Sequence, residues 1–381
     1  MRKTILFASI LASVAGLFTA CEKDDTDFSS YINGATDGDS GSTSEVTPIY
    51  IVFGETAVSV TGDTNGYVTT SGTEVTVNTG SDTDSLLLVL SGSCPDGSLI
   101  VYRQRKYGIV LNGLTLTNSD GPAINNQCGK SLYLRVADGT TNTLADGDTY
   151  TEQSYDQKGA LFSEGQIYFS GTGTLNVKGN YKHSIACDDY IVFSEATVSA
   201  ASVAGCGVKA NDGIWINSGT LHVSTTADGG RGIRCDSVVV ITGGTTTITT
   251  SGDCRIETKD GVRDTTSCAC IKCDYPFTMT GGQLTMTSTG DGGKGISCDQ
   301  DITIRGGTFV AKTSGSNDTA KPKAVKSDTA IIVSGGSFTA TVKKSWACDN
   351  GTDSDAPADH LTILGTPASS SVTKKSVIIT Y

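Results

Sequence analysis

Two copies of one charged phrase carry the most chemistry in this chain. Residues 228–236 read Asp-Gly-Gly-Arg-Gly-Ile-Arg-Cys-Asp, and residues 291–299 repeat them with Lys294 in place of Arg231 and Ser297 in place of Arg234. Aspartate supplies the oxygen ligands that calcium, a hard cation, accepts, whereas arginine and lysine pair with carboxylates. The phrase therefore predicts two kinds of site, one for a metal and one for an anion.

An acidic position follows the third short strand pattern of each repeat. Its members are Gln127, Asp188, Asn211, Asp236, Asp274, Asp299, Asp328 and Asp349. Adjacent strands of a sheet lie ~4.8 Å apart, so stacked carboxylates repel unless something compensates them. Each aspartate either accepts backbone N–H groups of its own turn or shares calcium with its neighbours, and both interpretations stay open at any one position. The candidate calcium ligands are Asp212, Asp228, Asp236, Asp274, Asp291 and Asp299.

A charged insertion interrupts the repeat at residues 253–267. It lies in the turn that precedes the third strand, the same turn that holds Arg231 one coil earlier and Lys294 one coil later. The candidate carbohydrate-binding cations on this edge are Arg231, Arg255, Lys259, Arg263 and Lys294. They would pair with the carboxylates of uronate sugars. The alternative is a solvated loop whose charges pair with one another.

Catalysis is the competing class of function. A polysaccharide lyase abstracts the proton next to a uronate carboxylate with a lysine or arginine base of lowered pKa, and calcium acidifies that proton. Lys259, Arg263 or Lys294 could act as this base, and composition singles out none of them. A surface adhesin or structural protein is a third hypothesis. Aromatic residues show no evident outward column, and Trp215 alone is a candidate platform for a neutral sugar.

The elements that must position these residues are short strands. From Tyr190 onward, Gly-Gly-Thr-like turns recur every 23 to 25 residues, apart from one coil that the insertion lengthens and a longer last interval. Each unit contains three short alternating patterns and no helical period. We therefore predict an all-β fold, a single-stranded right-handed parallel β-helix with three short sheets per coil.

Two inward columns are expected in the third strand. The first is Ile124, Ile185, Val208, Ile233, Ile271, Ile296, Val325 and Trp346, and the second is Asn126, Cys187, Ala210, Cys235, Cys273, Cys298, Ser327 and Cys348. Stacked cysteines fit a crowded core better than a metal site, because only Cys270 and Cys273 have ligand spacing and no second pair follows. Eleven cysteines follow Cys21, and Cys254 and Cys268, at the base of the insertion, are the pair expected to form a disulfide.

The amino terminus is typical of an exported protein. Residues 1–20 carry an Arg-Lys start and an apolar run, and resemble a bacterial lipoprotein signal with Cys21 as the lipidated residue. Residues 21–47 are predicted to be a flexible acidic, Ser- and Gly-rich tether. Residues 48–107 are predicted to form capping strands and the first irregular coils, and residues 108–381 the β-helix. The acidic residues after Cys21 resemble export tags of surface lipoproteins, which predicts an outer-membrane lipoprotein exposed at the cell surface.

The charge balance limits the partners. Removal of Arg2 and Lys3 with the signal leaves 26 basic residues against 40 acidic ones, a net charge of −14. A protein this acidic is not expected to bind nucleic acid. We expect a monomer whose partners are a polysaccharide and, through Cys21, a membrane.

Longer phrases resemble a known family. They lie at residues 108–124, 137–147, 158–163 and 171–185 and include Gly-Ile-Val-Leu-Asn-Gly-Leu-Thr-Leu-Thr-Asn-Ser-Asp-Gly-Pro-Ala-Ile. The chain resembles, over about residues 48–350, the secreted carbohydrate-binding parallel β-helix family. The resemblance implies a fold similar to pectate lyases, bound calcium, and binding of plant polysaccharides, notably acidic pectic chains. Several Asp-Gly-Ile phrases of the family are replaced here, so fewer calcium sites are implied. We therefore predict a non-catalytic surface protein that binds acidic polysaccharide with calcium.

Overall fold

The computed structural model describes residues 46–82, 84–316 and 320–381, with no description of the Lys259 side chain. The predicted signal peptide, Cys21 and all but the last two residues of the predicted tether lie outside these ranges. Within them, no helix is long and apolar enough to cross a membrane.

The described chain is almost entirely β-strand. The first strands are β1 (Ile49–Phe53), β2 (Val58–Thr61), β3 (Val68–Ser71), β4 (Glu74–Asn78), β5 (Leu87–Cys94), β6 (Ser98–Tyr102), β7 (Tyr107–Asn118) and β8 (Ile124–Asn126). The central strands are β9 (Leu132–Val136), β10 (Thr141–Asp146), β11 (Gly159–Ser163), β12 (Ile167–Ser170), β13 (Thr174–Gly179), β14 (His183–Cys187), β15 (Tyr190–Phe193), β16 (Thr197–Ser202), β17 (Val208–Ala210), β18 (Gly213–Ile216), β19 (Thr220–Thr225), β20 (Arg231–Cys235), β21 (Val239–Ile241) and β22 (Thr245–Thr250).

The insertion and the last coils complete the order. They contain β23 (Arg255–Lys259), β24 (Val262–Thr266), β25 (Ala269–Cys273), β26 (Phe277–Met279), β27 (Gln283–Ser288), β28 (Lys294–Cys298), β29 (Ile302–Ile304), β30 (Thr308–Thr313), β31 (Lys323–Ser327), β32 (Ile331–Val333), β33 (Ser337–Val342), β34 (Cys348–Asp349), a 3-10 turn at Pro357–His360, β35 (Thr362–Ile363), β36 (Ser369–Val372) and β37 (Ser376–Thr380).

The strands stack into three parallel ladders. The first runs β9, β12, β15, β18, β21, β26, β29, β32 and β35. The second runs β10, β13, β16, β19, β22, β27, β30 and β33. The third runs β6, β8, β11, β14, β17, β20, β25, β28, β31 and β34. The result is a parallel β-solenoid of about 11 turns, which confirms the predicted fold class.

Antiparallel pairs lie at both ends of the stack. At the start, β1 pairs with β2 and β3 with β4. At the end, β37 pairs antiparallel with both β33 and β36. These pairs cover strand edges that would otherwise be open to other chains.

The turn between the first and second strands confirms the glycine alignment. Gly244 has φ 72° and Gly307 has φ 80°, a conformation that glycine adopts without steric cost. A Cβ at Gly307 would lie 2.5 Å from the carbonyl oxygen of Gly282 one coil earlier. These turns therefore need glycine both for backbone angle and for the close stacking of coils.

The inward columns of the third ladder are confirmed over most of their length. Ile185, Val208, Ile233, Ile271, Ile296 and Val325 are consecutive register partners and are fully buried. The cysteine column is buried beside it, and burial raises the pKa of Cys235 to about 12. Thiols in this state pack as small apolar groups.

The last coil was aligned wrongly. Val325 pairs with Cys348, so Cys348 and not Trp346 ends the isoleucine column. Asp349 then lies beside Lys326 and is not part of the acidic column. The Cys-Asp pair at residues 348–349 had been matched by residue type to the Cys-Asp pairs of earlier coils, which placed Trp346 inward. The structure instead leaves Trp346 half-buried.

The predicted disulfide is also wrong, because Cys254 and Cys268 are not bonded. Cys268 is buried and its thiol contacts Thr250. Cys254 lies against the next coil, where its backbone N–H donates to the Asp291 carbonyl at 2.8 Å. The two thiols therefore face different coils.

Candidate functional site

A row of cations lies along the corner where the third ladder begins. Arg231 pairs in register with Ala269, Ala269 with Lys294, and Lys294 with Lys323. Trp346 follows Lys323, because Val325 pairs with Cys348 two positions later. We call these five residues the corner row. Its members repeat at the strand spacing of about 4.8 Å.

A second set of cations lies on the outer face of the same strands and neutralises the acidic column. Arg234 lies 2.8 Å from Asp236 and 2.6 Å from Asp274. Lys272 lies 3.2 Å from Asp274 and also contacts Asp299. The Arg234 hydrogen bonds hold the pKa of Asp274 well below its usual range.

This pairing bears on the calcium ligands proposed from sequence. Lysine and arginine occupy the outward positions between the inward residues, where period 2 places them, and they neutralise the acidic column in place of calcium or turn N–H groups. Asp236, Asp274 and Asp299 already contact protein cations. A calcium ion at these residues would have to displace them.

Asp228 and Asp291 have a different partner. The Oδ1 atom of Asp228 accepts the backbone N–H of Asp253 at 2.8 Å, and Asp253 accepts that of Asp291 at 2.7 Å. Asp291 in turn accepts the N–H of Ser316 at 2.6 Å. Each carboxylate therefore caps the next coil rather than its own turn.

Asp212 is exposed and lies near Asp189, whose backbone carbonyl accepts the Asp212 N–H at 3.1 Å. The pKa of Asp189 is raised, first by burial and then by the charge of Asp212. These two carboxylates resemble a cation site more closely than the other predicted ligands.

Sequence reasoning missed a further acidic group. Oxygens of Asp156, Glu164 and Asp188 lie within 4.8 Å of one another. They flank β11 and β14, and the coil of β11 was absent from the sequence alignment. The Lys158 ammonium lies 2.6 Å from Asp156 and also contacts Asp188, so this group is already neutralised in part.

The insertion is a β-hairpin rather than a loop. β23 and β24 pair antiparallel, and the turn residues Asp260 and Gly261 have φ 50° and 78°. Asp-Gly with two positive φ angles is the signature of a tight hairpin turn, and this signal was present in the sequence. A Cβ at Gly229 would lie 3.0 Å from Thr266 Cγ2, so the base of the hairpin packs on the Asp228–Gly230 turn.

The hairpin and the corner row enclose a cleft of about 400 Å³. We call it the hairpin cleft. Its charged lining is Arg231, Lys272, Lys294, Lys326, Asp264 and Asp299. Four cations against two carboxylates make it positive, in a chain whose net charge is strongly negative.

Two of the five predicted carbohydrate-binding cations meet in this cleft. The Arg231 Nη1 atom donates to the Gly229 carbonyl at 2.9 Å, while its Nε is buried without a hydrogen bond. Lys294 contacts the Ser267 hydroxyl, and burial lowers its pKa to about 8. Both cations have lost water, and within the described chain their side chains contact a backbone carbonyl and a hydroxyl rather than a carboxylate, which makes them receptive to an anion.

The other three predicted cations are on the hairpin, and of these Arg255 and Arg263 do not line the cleft. Arg255 pairs with Glu257 at 2.8 Å, as the solvated-loop alternative expected. Arg263 is exposed opposite Thr258, and Lys259 lies at the end of β23.

An aromatic cluster lies on the outer face of the first ladder, where the sequence showed no column. The Tyr133 and Tyr168 rings stack with centroids 5.0 Å apart. Tyr190 meets Tyr168 at 5.7 Å and Trp215 at 5.4 Å, both edge to face. The long segment between β10 and β11 hid this register in the sequence. The rings contact one another, which stabilises the stacking of four coils.

The histidine geometry gives no acid–base pair at β14. His183 accepts the Cys206 backbone N–H at 2.9 Å through Nδ1, and burial lowers its pKa to about 4. His183 is therefore a packed residue of the solenoid rather than an acid–base group.

Comparisons with known proteins agree on the type of fold. A family model described as "Carbohydrate-binding domain-containing protein" matches residues 71–232 and 229–319. A curated relative of the same description from Acetivibrio thermocellus is 28% identical over 104 residues, which are 26% of this chain and 36% of the relative. The match therefore spans about a third of that relative's length.

A solved structure is similar over a longer stretch. It is the polysaccharide lyase-like protein from C. thermocellum, in a gadolinium derivative, with a TM-score of 0.56 and 22% identity. The similarity covers 68% of this chain and 96% of that chain. At this level of identity it shows the fold.

Proposed function

Because the chain belongs to the family of carbohydrate-binding domain-containing proteins, we propose that it binds an acidic polysaccharide in the hairpin cleft. The observation that carries the proposal is the meeting of Arg231 and Lys294 in a positive cleft of a negative protein. Uronate sugars present a carboxylate on each ring, and arginine pairs with carboxylates in two parallel hydrogen bonds. Membership of the family supports a carbohydrate ligand, and the positive charge of the cleft supports an acidic one.

The repeat favours a polymer over a small metabolite. Three of the five corner-row positions are cations, Arg231, Lys294 and Lys323, so charged groups meet a ligand at intervals of one or two coil spacings, about 5–10 Å. The hairpin forms one wall of the cleft. The cleft stays open along the axis of the solenoid, in which direction the sugar chain would run.

A binding measurement tests the proposal. Isothermal titration with polygalacturonate compares the wild type with the double variant R231A/K294A and with the control K312A, whose lysine is exposed on β30 in the second ladder. A hydrogen bond to a charged group contributes about 1.5–3 kcal/mol, so we expect at least ~10-fold weaker binding for the double variant. Wild-type affinity is expected for K312A.

Two results would overturn it. One is equal binding of fully methyl-esterified polygalacturonate, which has no carboxylate charge. The other is unchanged affinity of R231A/K294A, with circular dichroism showing an intact β-fold. Binding to no acidic polysaccharide of a broad panel would favour the adhesin hypothesis.

Calcium is part of the proposal at one position. Among the ligands predicted from sequence, the donor set fits best at Asp212 with its neighbour Asp189, whose pKa is raised by burial and then by the charge of Asp212 and whose carboxylate also accepts the Gln166 amide. Calcium there would supply a positive charge between the carboxylates and a contact for sugar oxygens. The fit is poor at Asp236, Asp274 and Asp299, which contact lysine or arginine, and Asp228 and Asp291 each have one oxygen on a backbone N–H. Calcium titration of D212N against D236N, followed by melting temperature, distinguishes the two sets.

Lys294 also favours a second function, a lyase. Its pKa of about 8 and its place two coil positions from Arg231 in the same cleft suit a base that takes the proton next to a uronate carboxylate. A carbon–carbon double bond then forms, the bond to the leaving sugar breaks, and the departing sugar oxygen takes a proton from water. Growth of ultraviolet absorbance on polygalacturonate, lost in Lys294→Met, would establish the enzyme. Absence of growth with intact binding supports the non-catalytic function.

We also propose that Cys21 carries a lipid that displays the solenoid at the outer membrane. The support is the signal-like sequence of residues 1–20 and the acidic residues after Cys21. Cell fractionation and surface proteolysis of wild type and Cys21→Ser test it, and release of both proteins into the medium in equal amounts would contradict it.

A further inference from the structure

A second cleft lies further along the corner row, at the C-terminal end of the stack. It encloses about 500 Å³ and is lined by Lys321, Lys323, Trp346, Asp349, His360 and Lys374, among others. We call it the terminal cleft. Lys323 and Trp346 continue the row that begins with Arg231, so the two clefts are collinear.

Trp346 is packed against two cationic or ionisable groups. The Lys374 Nζ atom lies over the indole at 4.2 Å from the ring centroid, and the His360 ring centroid lies 4.1 Å away at 31°. Both groups are therefore in contact with the indole ring. Lys374 is exposed and its long side chain can leave, whereas His360 is buried.

His360 supplies an independent sign of a polar ligand. It is 2% exposed, its Nε2 atom contacts the Ser354 carbonyl at 2.8 Å, and its Nδ1 atom is buried without a hydrogen bond. The nearest carboxylate oxygen, on Asp349, is 3.7 Å from Nδ1. A buried polar atom without a partner costs about 1–3 kcal/mol, and a ligand that reached it would remove that cost.

The charged lining of the terminal cleft is Lys321, Lys323, Lys344 and Lys374 against Asp349, Asp353 and Asp355, an excess of one positive charge. Lys323 contacts Asp349, yet burial and the nearby charges of Lys321, Lys326 and Lys374 lower its pKa to about 8. Ser345, just before the tryptophan, has the positive φ of a strained residue. Such strain persists where surrounding structure enforces it and is common at ligand sites.

We propose that the terminal cleft is a second carboxylate subsite for the same acidic polysaccharide, in which Lys374 moves from the face of Trp346 to a uronate carboxylate and the sugar ring takes its place. This inference rests on the proposed function, because the ligand is the same polymer. From Arg231 to Trp346 the corner row makes four register steps, about 19 Å at the strand spacing. One chain of sugars therefore reaches both clefts.

Tryptophan fluorescence tests the proposal in the full chain. The protein has two tryptophans, Trp215 and Trp346, so a Trp215→Phe background leaves Trp346 as the reporter. Oligogalacturonides of increasing length are titrated, and Trp346 emission is recorded with affinity. The variants are Lys374→Ala and the control Lys375→Ala, which removes an adjacent exposed lysine outside the cleft.

We expect saturable Trp346 emission changes, with a rise in affinity when the oligomer becomes long enough to reach both clefts. Lys374→Ala is expected to remove that length-dependent gain and weaken long oligomers about 5- to 10-fold, while Lys375→Ala leaves them within two-fold. Short oligomers held only in the hairpin cleft should bind Lys374→Ala normally.

The failure of each idea has its own signature. Binding that depends on Arg231 and Lys294, with constant Trp346 emission and no effect of Lys374→Ala, overturns the terminal subsite and leaves the proposed function intact. Binding to neither cleft, with no oligomer affecting either readout, overturns the proposed function itself.

Discussion

At the scale of single residues, the buried charge of Lys294 favours ligand binding but lowers the stability of the fold. Burial lowers its pKa to about 8, whereas an unfolded lysine titrates near 10.4. Between about pH 8 and 10.4 the unfolded chain holds the proton and the folded chain does not, so this residue makes stability rise with pH across that window. Below pH 8 the folded protein bears the whole cost of a buried charge, on the order of 1–3 kcal/mol.

We therefore expect Lys294→Met to be more stable than the wild type at pH 7 and to lose that advantage by about pH 10. The same variant should bind polygalacturonate more weakly at pH 7, and wild-type binding should weaken as pH rises through about 8, where Lys294 loses its charge. Urea unfolding and titration calorimetry at pH 6 to 10 measure both effects. A Met variant that is less stable at pH 7 would show that Lys294 is compensated in the fold.

Cysteine reactivity is a second prediction at this scale. Among the described cysteines, only Cys254 is not buried, and burial raises the pKa of Cys270, like that of Cys235, to about 12. Only a thiolate attacks an alkylating reagent. We expect iodoacetamide at pH 8 to label Cys254 first in the native protein and the other described cysteines only after unfolding, as read by peptide mass spectrometry. Rapid native labelling of the stacked thiols at Cys235 or Cys273 would contradict the packing described for that column.

At the scale of elements, we expect the hairpin to contribute more to ligand binding in the cleft than to the stability of the fold. Its strands pair with each other, while the solenoid ladder runs directly from β20 to β25. Replacing residues 255–266 with a short Gly-Ser linker should therefore change the melting temperature little, because loop closure entropy depends weakly on length. Affinity for polygalacturonate should fall about 10-fold, since one wall of the cleft is gone. The control Lys312→Ala, on β30 and outside the cleft lining, should leave both melting temperature and affinity unchanged.

The elements also show what the sequence could and could not predict. The strands, their order and most of the inward column followed from period-2 alternation and from turn spacing, because coil stacking repeats the same environment. Trp346 broke the pattern, because the Cys348-Asp349 pair matches the Cys-Asp pairs of earlier coils by residue type but lies two positions earlier in the register. The meeting of Arg231 and Lys294 was predictable from their shared place in the repeat. The salt bridges to Asp236, Asp274 and Asp299 were overlooked because the acidic column was considered without the cations between its members.

At the scale of the whole molecule, local and total charge oppose each other. The chain after the predicted signal carries −14, which repels a polyanion at long range, whereas the hairpin cleft attracts it at contact. The Debye length is about 30 Å at 0.01 M salt and about 10 Å at 0.1 M. Long-range repulsion by the whole protein is therefore screened at a lower salt concentration than the close contact of Arg231 and Lys294 with a carboxylate.

We expect affinity for polygalacturonate to pass through a maximum as salt increases. From 10 to 100 mM sodium chloride the association rate should rise several-fold because long-range repulsion fades. Towards 1 M the dissociation rate should rise because the Debye length, about 3 Å, then reaches the contact distance. Surface plasmon resonance over this range separates the two rates. In R231A/K294A the rise in association rate should persist while the loss at high salt should largely disappear, because the long-range repulsion remains and the contact does not. A steady fall of wild-type affinity from 10 mM upward would mean that the ligand meets a positive field at long range, and would place its approach away from the acidic bulk of the protein.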